Sequence, residues 1–286
     1  MQRGVFAVLA LVFFCSQGIA AEPGGTLERI KSTGTFTIAH REESPPFSFV
    51  DEQERPAGYA IDLCLRIAKA VKDQLGLAEL DIRYVAVSSE NRLQTVADGA
   101  ADIECGNTTN TLSRQEMVDF TNTIFITGAS LLARPESNIT SLADLRGKSV
   151  TVVEGTTTEK VLTERLKREL IDANVVTVKD HNAGVEALEE GKAVAHAGDQ
   201  LVLIGLAKAA KKPGHFALAS EVFSYEPYAL AVRRNDADFR LVANRALAQL
   251  YRSGEIGEIY KRWFGDWGGK PSQLLLAMFA LNALPE

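Results

Sequence analysis

Two spacings of apolar residues alternate along the chain. Residues 59–75 place Ala60, Cys64, Ile67, Ala68 and Val71 at helical intervals. Residues 36–39, 80–87 and 149–153 are instead short runs rich in β-branched and aromatic side chains. A 3.6-residue period sustained over several turns favours an amphipathic helix, and short runs of this kind favour strands. The same reading predicts strands at 36–39, 80–87, 101–105, 149–153, 175–178 and 193–197, with helices at 59–75, 91–98, 158–170 and 181–190. Strands alternating with helices imply an α/β protein with largely parallel sheets. In such sheets ligands collect outside the carboxyl ends of the strands.

The layout of the first half recurs in the second. Gly99-Ala-Ala-Asp-Ile-Glu104 and Gly191-Lys-Ala-Val-Ala-His196 each turn out of a helix into a strand. Ala133-Arg-Pro-Glu-Ser-Asn138 has the composition of a linker, and a later strand at 228–232 carries the chain back. Two crossings between two lobes make a hinge around a cleft. The expected organisation is lobe 1 at 22–133 and 229–286, with lobe 2 at 134–228. The apolar stretch 274–284 is expected to be a terminal helix docked on the surface.

The first residues change the compartment. Arg3, an apolar run at 5–14 and Gly18-Ile-Ala-Ala21 form a secretory signal with cleavage expected after Ala21. The run is shorter than the roughly 20 apolar residues that span a bilayer, so a soluble exported product is expected. The formal charge is −6, and residues 1–21 hold Arg3 and no acid, so the remaining chain carries −7. An acidic balance without basic patches argues against nucleic acid or an anionic membrane as partner. Cys64 and Cys105 both survive processing into an oxidising compartment. A disulfide between them and two buried thiols are both open on sequence grounds, because bridging depends on geometry.

Candidate chemistry gathers at predicted strand ends. His40-Arg41, Ser89-Glu-Asn-Arg92 and Glu104-Cys-Gly-Asn-Thr-Thr-Asn-Thr-Leu-Ser-Arg114 each put an arginine beside hydroxyl or amide side chains. A guanidinium meets a carboxylate as a planar two-pronged fork, so three of them, with Thr108 and Thr109 alongside, suit a small ligand with two carboxylates. Gly155-Thr-Thr-Thr158 ahead of a helix has the form of an anion-binding helix start as well as of ordinary capping. Nucleophile–base pairs, metal clusters and phosphate loops of comparable quality are absent from the sequence, so no cofactor, metal or catalytic residue is assigned.

From Gly34-Thr-Phe-Thr-Ile-Ala-His-Arg-Glu-Glu-Ser-Pro-Pro-Phe-Ser-Phe-Val-Asp51 onward the chain resembles the family 3 periplasmic solute-binding proteins of ABC importers. Gly58-Tyr-Ala-Ile-Asp-Leu63, Arg114-Gln-Glu-Met-Val-Asp-Phe120, Leu142-Ala-Asp-Leu-Arg-Gly-Lys148 and Val153-Glu-Gly-Thr-Thr157 continue the likeness, as does the ending from Gly254 to Phe264. His40-Arg-Glu, Ser89-Glu-Asn-Arg92, Cys105-Gly-Asn-Thr-Thr-Asn and Lys179-Asp-His181 are most similar to the glutamate/aspartate-binding members. The resemblance implies a two-lobed periplasmic-binding-protein type II fold that captures glutamate or aspartate and passes it, as a monomer in the periplasm, to an ABC permease.

The roles follow residue by residue. The resemblance places Arg114 on the ligand's α-carboxylate with Thr109 assisting. It places Arg41, Ser89 and Arg92 on the side-chain carboxylate, and Thr157 and His181, with Thr156 beside them, as second-lobe contacts made on closure. Asp199, in Ala197-Gly-Asp-Gln200, falls where relatives bind the α-ammonium. Asn107 stands where relatives often have serine. An anion beside His181 would favour its imidazolium form. Two other readings share the scaffold: an exported dehydratase-like enzyme with His181 or Asp199 as acid or base, and a sensor module that presents its ligand to a receptor.

Overall fold

The computed structural model describes residues 24–210, 214–265 and 270–286. The expected secretory signal at 1–21 lies outside them. Two five-stranded sheets share one plan. In the first the order is Asp81–Ala86, Thr35–His40, Ile103–Glu104, Ala231–Arg233, Val118–Phe120. In the second it is Asn174–Val178, Ser149–Val153, Ala195–Asp199, Ala129–Ala133, Ala217–Leu218. The first three strands of each sheet run parallel, and Ala231–Arg233 and Ala129–Ala133 pair antiparallel to them. The fold is mixed α/β in two lobes, as the alternating periods predict.

The crossings lie where the sequence does not mark them. Phe125–Thr127 and Glu226–Tyr228 pair antiparallel as a two-stranded hinge. Residues 129–133, grouped in the sequence reading with lobe 1, pair with Ala195–Asp199 of the second sheet. The linker-like segment 133–138 therefore lies within lobe 2, as a short 3-10 turn at Pro135–Ser137. All five residues of Ala129–Ala133 are buried, so the alternation that would mark sheet membership is missing. The strand expected at 228–232 is likewise divided into the hinge strand Glu226–Tyr228 and the lobe strand Ala231–Arg233.

An aromatic cluster anchors the hinge on lobe 1. Phe47 meets Phe125 and Tyr228 edge-on at 5.0 and 5.1 Å between ring centroids, and the Tyr59 hydroxyl donates to the Ile124 carbonyl at 2.9 Å. Burying each such ring contributes roughly 1.5–3 kcal/mol, so both hinge strands are held firmly to lobe 1. Asp62 pins its helix, Tyr59–Leu75, to the helix Glu255–Phe264 by accepting from Arg262 at 2.7 Å and Trp263 at 2.8 Å. The terminal helix Gln273–Asn282 buries Leu275, Met278 and Phe279 and leaves Leu274, Leu276 and Leu281 exposed. Among the described residues no helix is long and apolar enough to cross a membrane.

Cys64 and Cys105 form a disulfide across 41 residues, with their Cα atoms 6.3 Å apart. It ties the buried face of the helix Tyr59–Leu75 to the end of the strand that leads into Asn107 and Thr109. Closing a loop of that length stabilises by about 3–4 kcal/mol in the chain-entropy treatment. Denaturant unfolding with and without reductant is expected to show a loss of that size. Alkylation of chain cleaved after Ala21, without reductant, is expected to label no cysteine.

Candidate ligand-binding site

The carboxyl ends of both sheets face one another across the hinge, as strand direction requires. Between them lies a cavity of about 20 Å³ lined by Arg41, Ser89, Arg92, Asn107 and Thr109 from the first lobe and by Thr156, Thr157, His181 and Asp199 from the second. That volume holds one or two waters, less than an amino acid occupies, so a ligand enters only when the lobes part. Thr108 does not reach the cavity. It is wholly buried, and its carbonyl accepts from Ala229 N at 3.1 Å, because side chains alternate in extended backbone and Asn107 and Thr109 take the cavity side.

Local sequence explains how each arginine is held. Arg41 ends the strand Thr35–His40; it is 2% exposed, donates to Ser89 Oγ at 2.8 Å and pairs with Glu43. Arg92 opens the helix Arg92–Ala97 and is 3% exposed. Burial, then the nearby Arg114 and Arg41, press its pKa down to about 9 against the pull of Glu104. Arg114 donates through Nη1 to the Thr109 carbonyl at 2.8 Å and through Nη2 to the Gly155 carbonyl of the second lobe at 3.4 Å. Arg92 Nε and Asn107 Oδ1 are buried without a hydrogen-bond partner among the described residues. Unpaired buried polar atoms are rare and point to a missing partner.

Carboxyls that the sequence reading passed over sit beneath the arginines. Glu104 is fully buried, and burial pushes its pKa up while Arg92, Arg41 and Arg114 oppose the rise. Gly106 leaves room beside it: a Cβ there would fall 2.2 Å from Glu104 Oε1 and 3.2 Å from Arg41 Cγ, so those side chains would have to shift. Glu226, on the hinge strand, accepts from Thr109 Oγ1 at 2.5 Å and Thr157 Oγ1 at 2.7 Å. Burial, followed by the nearby Glu226, raises Asp199 to about 7, although the Tyr228 hydroxyl donates to it. Burial thus biases Glu104 and Asp199 toward the neutral acid, which leaves guanidinium charge to be met by a ligand.

The second-lobe groups come from helix starts and one strand end. Thr156 caps the helix Thr157–Arg168, accepting from Glu159 N at 3.1 Å and donating to the Val153 carbonyl at 2.7 Å. Its hydroxyl is spent on the cap, so Thr156 offers the cavity its backbone and methyl. The amide groups of that helix start still favour an anion. His181 opens the helix His181–Glu189, and its Nδ1 lies 3.0 Å from Nε2 of His196. Burial, His196, Arg41 and Arg92 all hold His181 well below the usual imidazole range. These neighbours favour the neutral ring in this closed arrangement, the opposite of the bias that an adjacent anion would give.

Nothing in Ser224-Tyr-Glu-Pro-Tyr228 marks Glu226 or Tyr228 as site residues; only the antiparallel crossing carries them behind the cavity wall, against Thr109, Thr157 and Asp199. His196 similarly shows no motif, yet its ring supports His181 and packs where a Cβ on Gly184 would stand 2.2 Å away.

Known proteins share this arrangement of chain. An L-glutamate/L-aspartate-binding protein of Pseudomonas aeruginosa is 42% identical over 247 residues, 86% of this chain and 82% of that protein. A glutamate/aspartate import solute-binding protein of Salmonella typhimurium is 35% identical over 270 residues, covering 92% and 89% of the two chains. An ancestral amino acid-binding protein, described as a precursor of cyclohexadienyl dehydratase, superposes with a TM-score of 0.71 at 25% identity over 84% of this chain and 100% of that one. The sequence profile of the bacterial extracellular solute-binding proteins, family 3, matches residues 36–266. With that match and these relatives at two-lobed coverage, the chain belongs to the bacterial extracellular solute-binding proteins of family 3.

Proposed function

We propose that this protein captures glutamate or aspartate in the cleft between its lobes, as the monomeric binding component of an ABC importer working in the periplasm. The observation that carries the reading is the pairing of Arg41 and Arg92 in the lining of one interlobe cavity, with Ser89 and His181 beside them. Arg114 stands outside that lining and donates to the carbonyls of the lining residue Thr109 and of Gly155. Arg114, next to Gly155 and the start of the helix Thr157–Arg168, takes the α-carboxylate. Arg41, Ser89 and Arg92 take the side-chain carboxylate, and Asp199 the α-ammonium. The names of the glutamate/aspartate relatives support this choice of ligand. Polar groups arranged to neutralise charge, with His181 neutral and bonded to a second histidine, favour a binder over the dehydratase-like alternative.

Calorimetric titration with glutamate, aspartate, glutamine and arginine tests the proposal. The two acidic ligands are expected to bind at least about tenfold more tightly than glutamine, which would leave a buried cation unpaired. Preferential binding of arginine or glutamine would refute it.

Asp199 sets the expected pH dependence. An ammonium in contact binds the ionised carboxylate and lowers its pKa below about 7, where burial in the closed cleft sets it. Between the two values binding releases a proton, so affinity should rise with pH up to about 7 and level off above it. His181, held well below the usual imidazole range by burial, His196 and two arginines, is not expected to oppose that rise. Titrations at a series of pH values should show the rise in the wild type and its absence in Asp199→Asn. Affinity that falls with increasing pH would return the imidazolium to the site.

A further inference from the structure

A hydroxyl has one proton to give, and Thr109 and Thr157 have both given theirs. Oε2 of Glu226 accepts from Thr109 Oγ1 at 2.5 Å and from Thr157 Oγ1 at 2.7 Å, while Oε1 accepts from Ser224 Oγ at 2.6 Å. Glu226 is 1% exposed and lies behind these threonines, which line the cavity as it does not. What the two hydroxyls still offer a ligand is lone-pair density. Their oxygens are 3.3 Å apart, and Asp199 faces the same cavity.

The position of Glu226 is fixed by backbone. The hinge strand Glu226–Tyr228 pairs with Phe125–Thr127 and also holds the Thr109 segment, with Asn110 N donating to the Pro227 carbonyl at 2.8 Å and Ala229 N to that of Thr108 at 3.1 Å. Thr109 belongs to one lobe and Thr157 to the other, so a single carboxylate oxygen collects both hydroxyls only when the cleft is closed.

We propose that Glu226 is a positioning residue which turns Thr109 and Thr157 into a pair of acceptors, so that with Asp199 they form an ammonium subsite completed on closure. The proposal rests on the acidic amino-acid reading above and changes one role in it: the Thr109 hydroxyl faces the ligand's nitrogen, and the α-carboxylate is left to Arg114 and the helix start. Glu226 thereby selects amino acids against dicarboxylates of the same length that lack the amino group. Such a dicarboxylate meets the two threonine oxygens with nothing to donate, and buried acceptors without donors are costly.

The test compares L-glutamate with glutarate, the same skeleton without the amino group, by calorimetry on the exported chain. Wild type is expected to prefer glutamate. In Glu226→Gln, whose amide can donate to the threonine oxygens and so reverse them, glutamate should weaken by about tenfold or more while glutarate changes little. Thr109→Val should behave the same way, and Thr109→Ser should restore glutamate binding. A merely structural role for Glu226 would weaken both ligands alike, and that result would overturn the proposal, as would unchanged binding of both. Should Glu226→Gln fail to fold, a parallel loss of glutarate in Thr109→Val would overturn it, since the hydroxyl would then be donating to a carboxylate. Wild type that binds glutarate as tightly as glutamate rejects it without any variant. Wild type that binds neither glutamate nor aspartate rejects the ligand reading beneath it.

Discussion

Arg114→Ala is expected to lose about 2–5 kcal/mol of affinity for glutamate, at least about thirtyfold in dissociation constant, while remaining folded. Burial lowers the pKa of this guanidinium, and Glu226, Glu104 and Asp199 pull it back up. Its two hydrogen bonds run to the Thr109 carbonyl in one lobe and the Gly155 carbonyl in the other, so it links the two lobes at the position proposed for the α-carboxylate. Alanine would strand the ligand's carboxylate in a closed cleft without a counter-charge, which costs far more than an exposed ion pair. Circular dichroism should match wild type, because these bonds contribute little to either sheet. Binding within experimental error of wild type in a folded mutant would place the α-carboxylate elsewhere.

Arg92→Met is expected to separate affinity from stability. The buried cation is held at a pKa of about 9 by lost hydration and by two neighbouring guanidinium groups, which means the fold bears it at a cost. Replacing a whole internal ion pair by apolar side chains is often neutral or stabilising, and removing one partner alone is costly only while the other stays charged. Glu104, already pushed toward the neutral acid by burial, would complete that shift. The thermal midpoint without ligand should therefore be no lower than wild type, while the rise produced by glutamate shrinks. Glutamine, with no distal charge, should lose much less affinity than glutamate. Equal losses for both ligands would remove Arg92 from the distal carboxylate, and a large fall in midpoint would show Arg92 to be a structural ion.

Much of the architecture was legible because it is local. The helix at 59–75 and the strand at 149–153 carry their own periods and were read to the residue. Parallel alternation then directs the carboxyl ends of the parallel strands toward one cleft, so Arg41, Arg92 and Asn107 were identifiable as cleft residues from their place after strands. Boundaries failed where no local period exists. Ala129–Ala133 is buried along its whole length, and a continuous apolar strand reads the same in either sheet; only its register with Ala195–Asp199 assigns it.

The sequence by itself determined the kind of side chain available: three cations, hydroxyls beside them and an acid, in the order that two βα lobes require. Tertiary structure alone decided their states. Whether His181 is cationic depends on His196 and two arginines brought to it from distant segments. Whether Thr109 donates or accepts toward the cavity depends on Glu226, 117 residues away along the chain. Charge state and hydrogen-bond polarity are set by burial and by the nearest partner, and neither is encoded within a few residues of the group concerned.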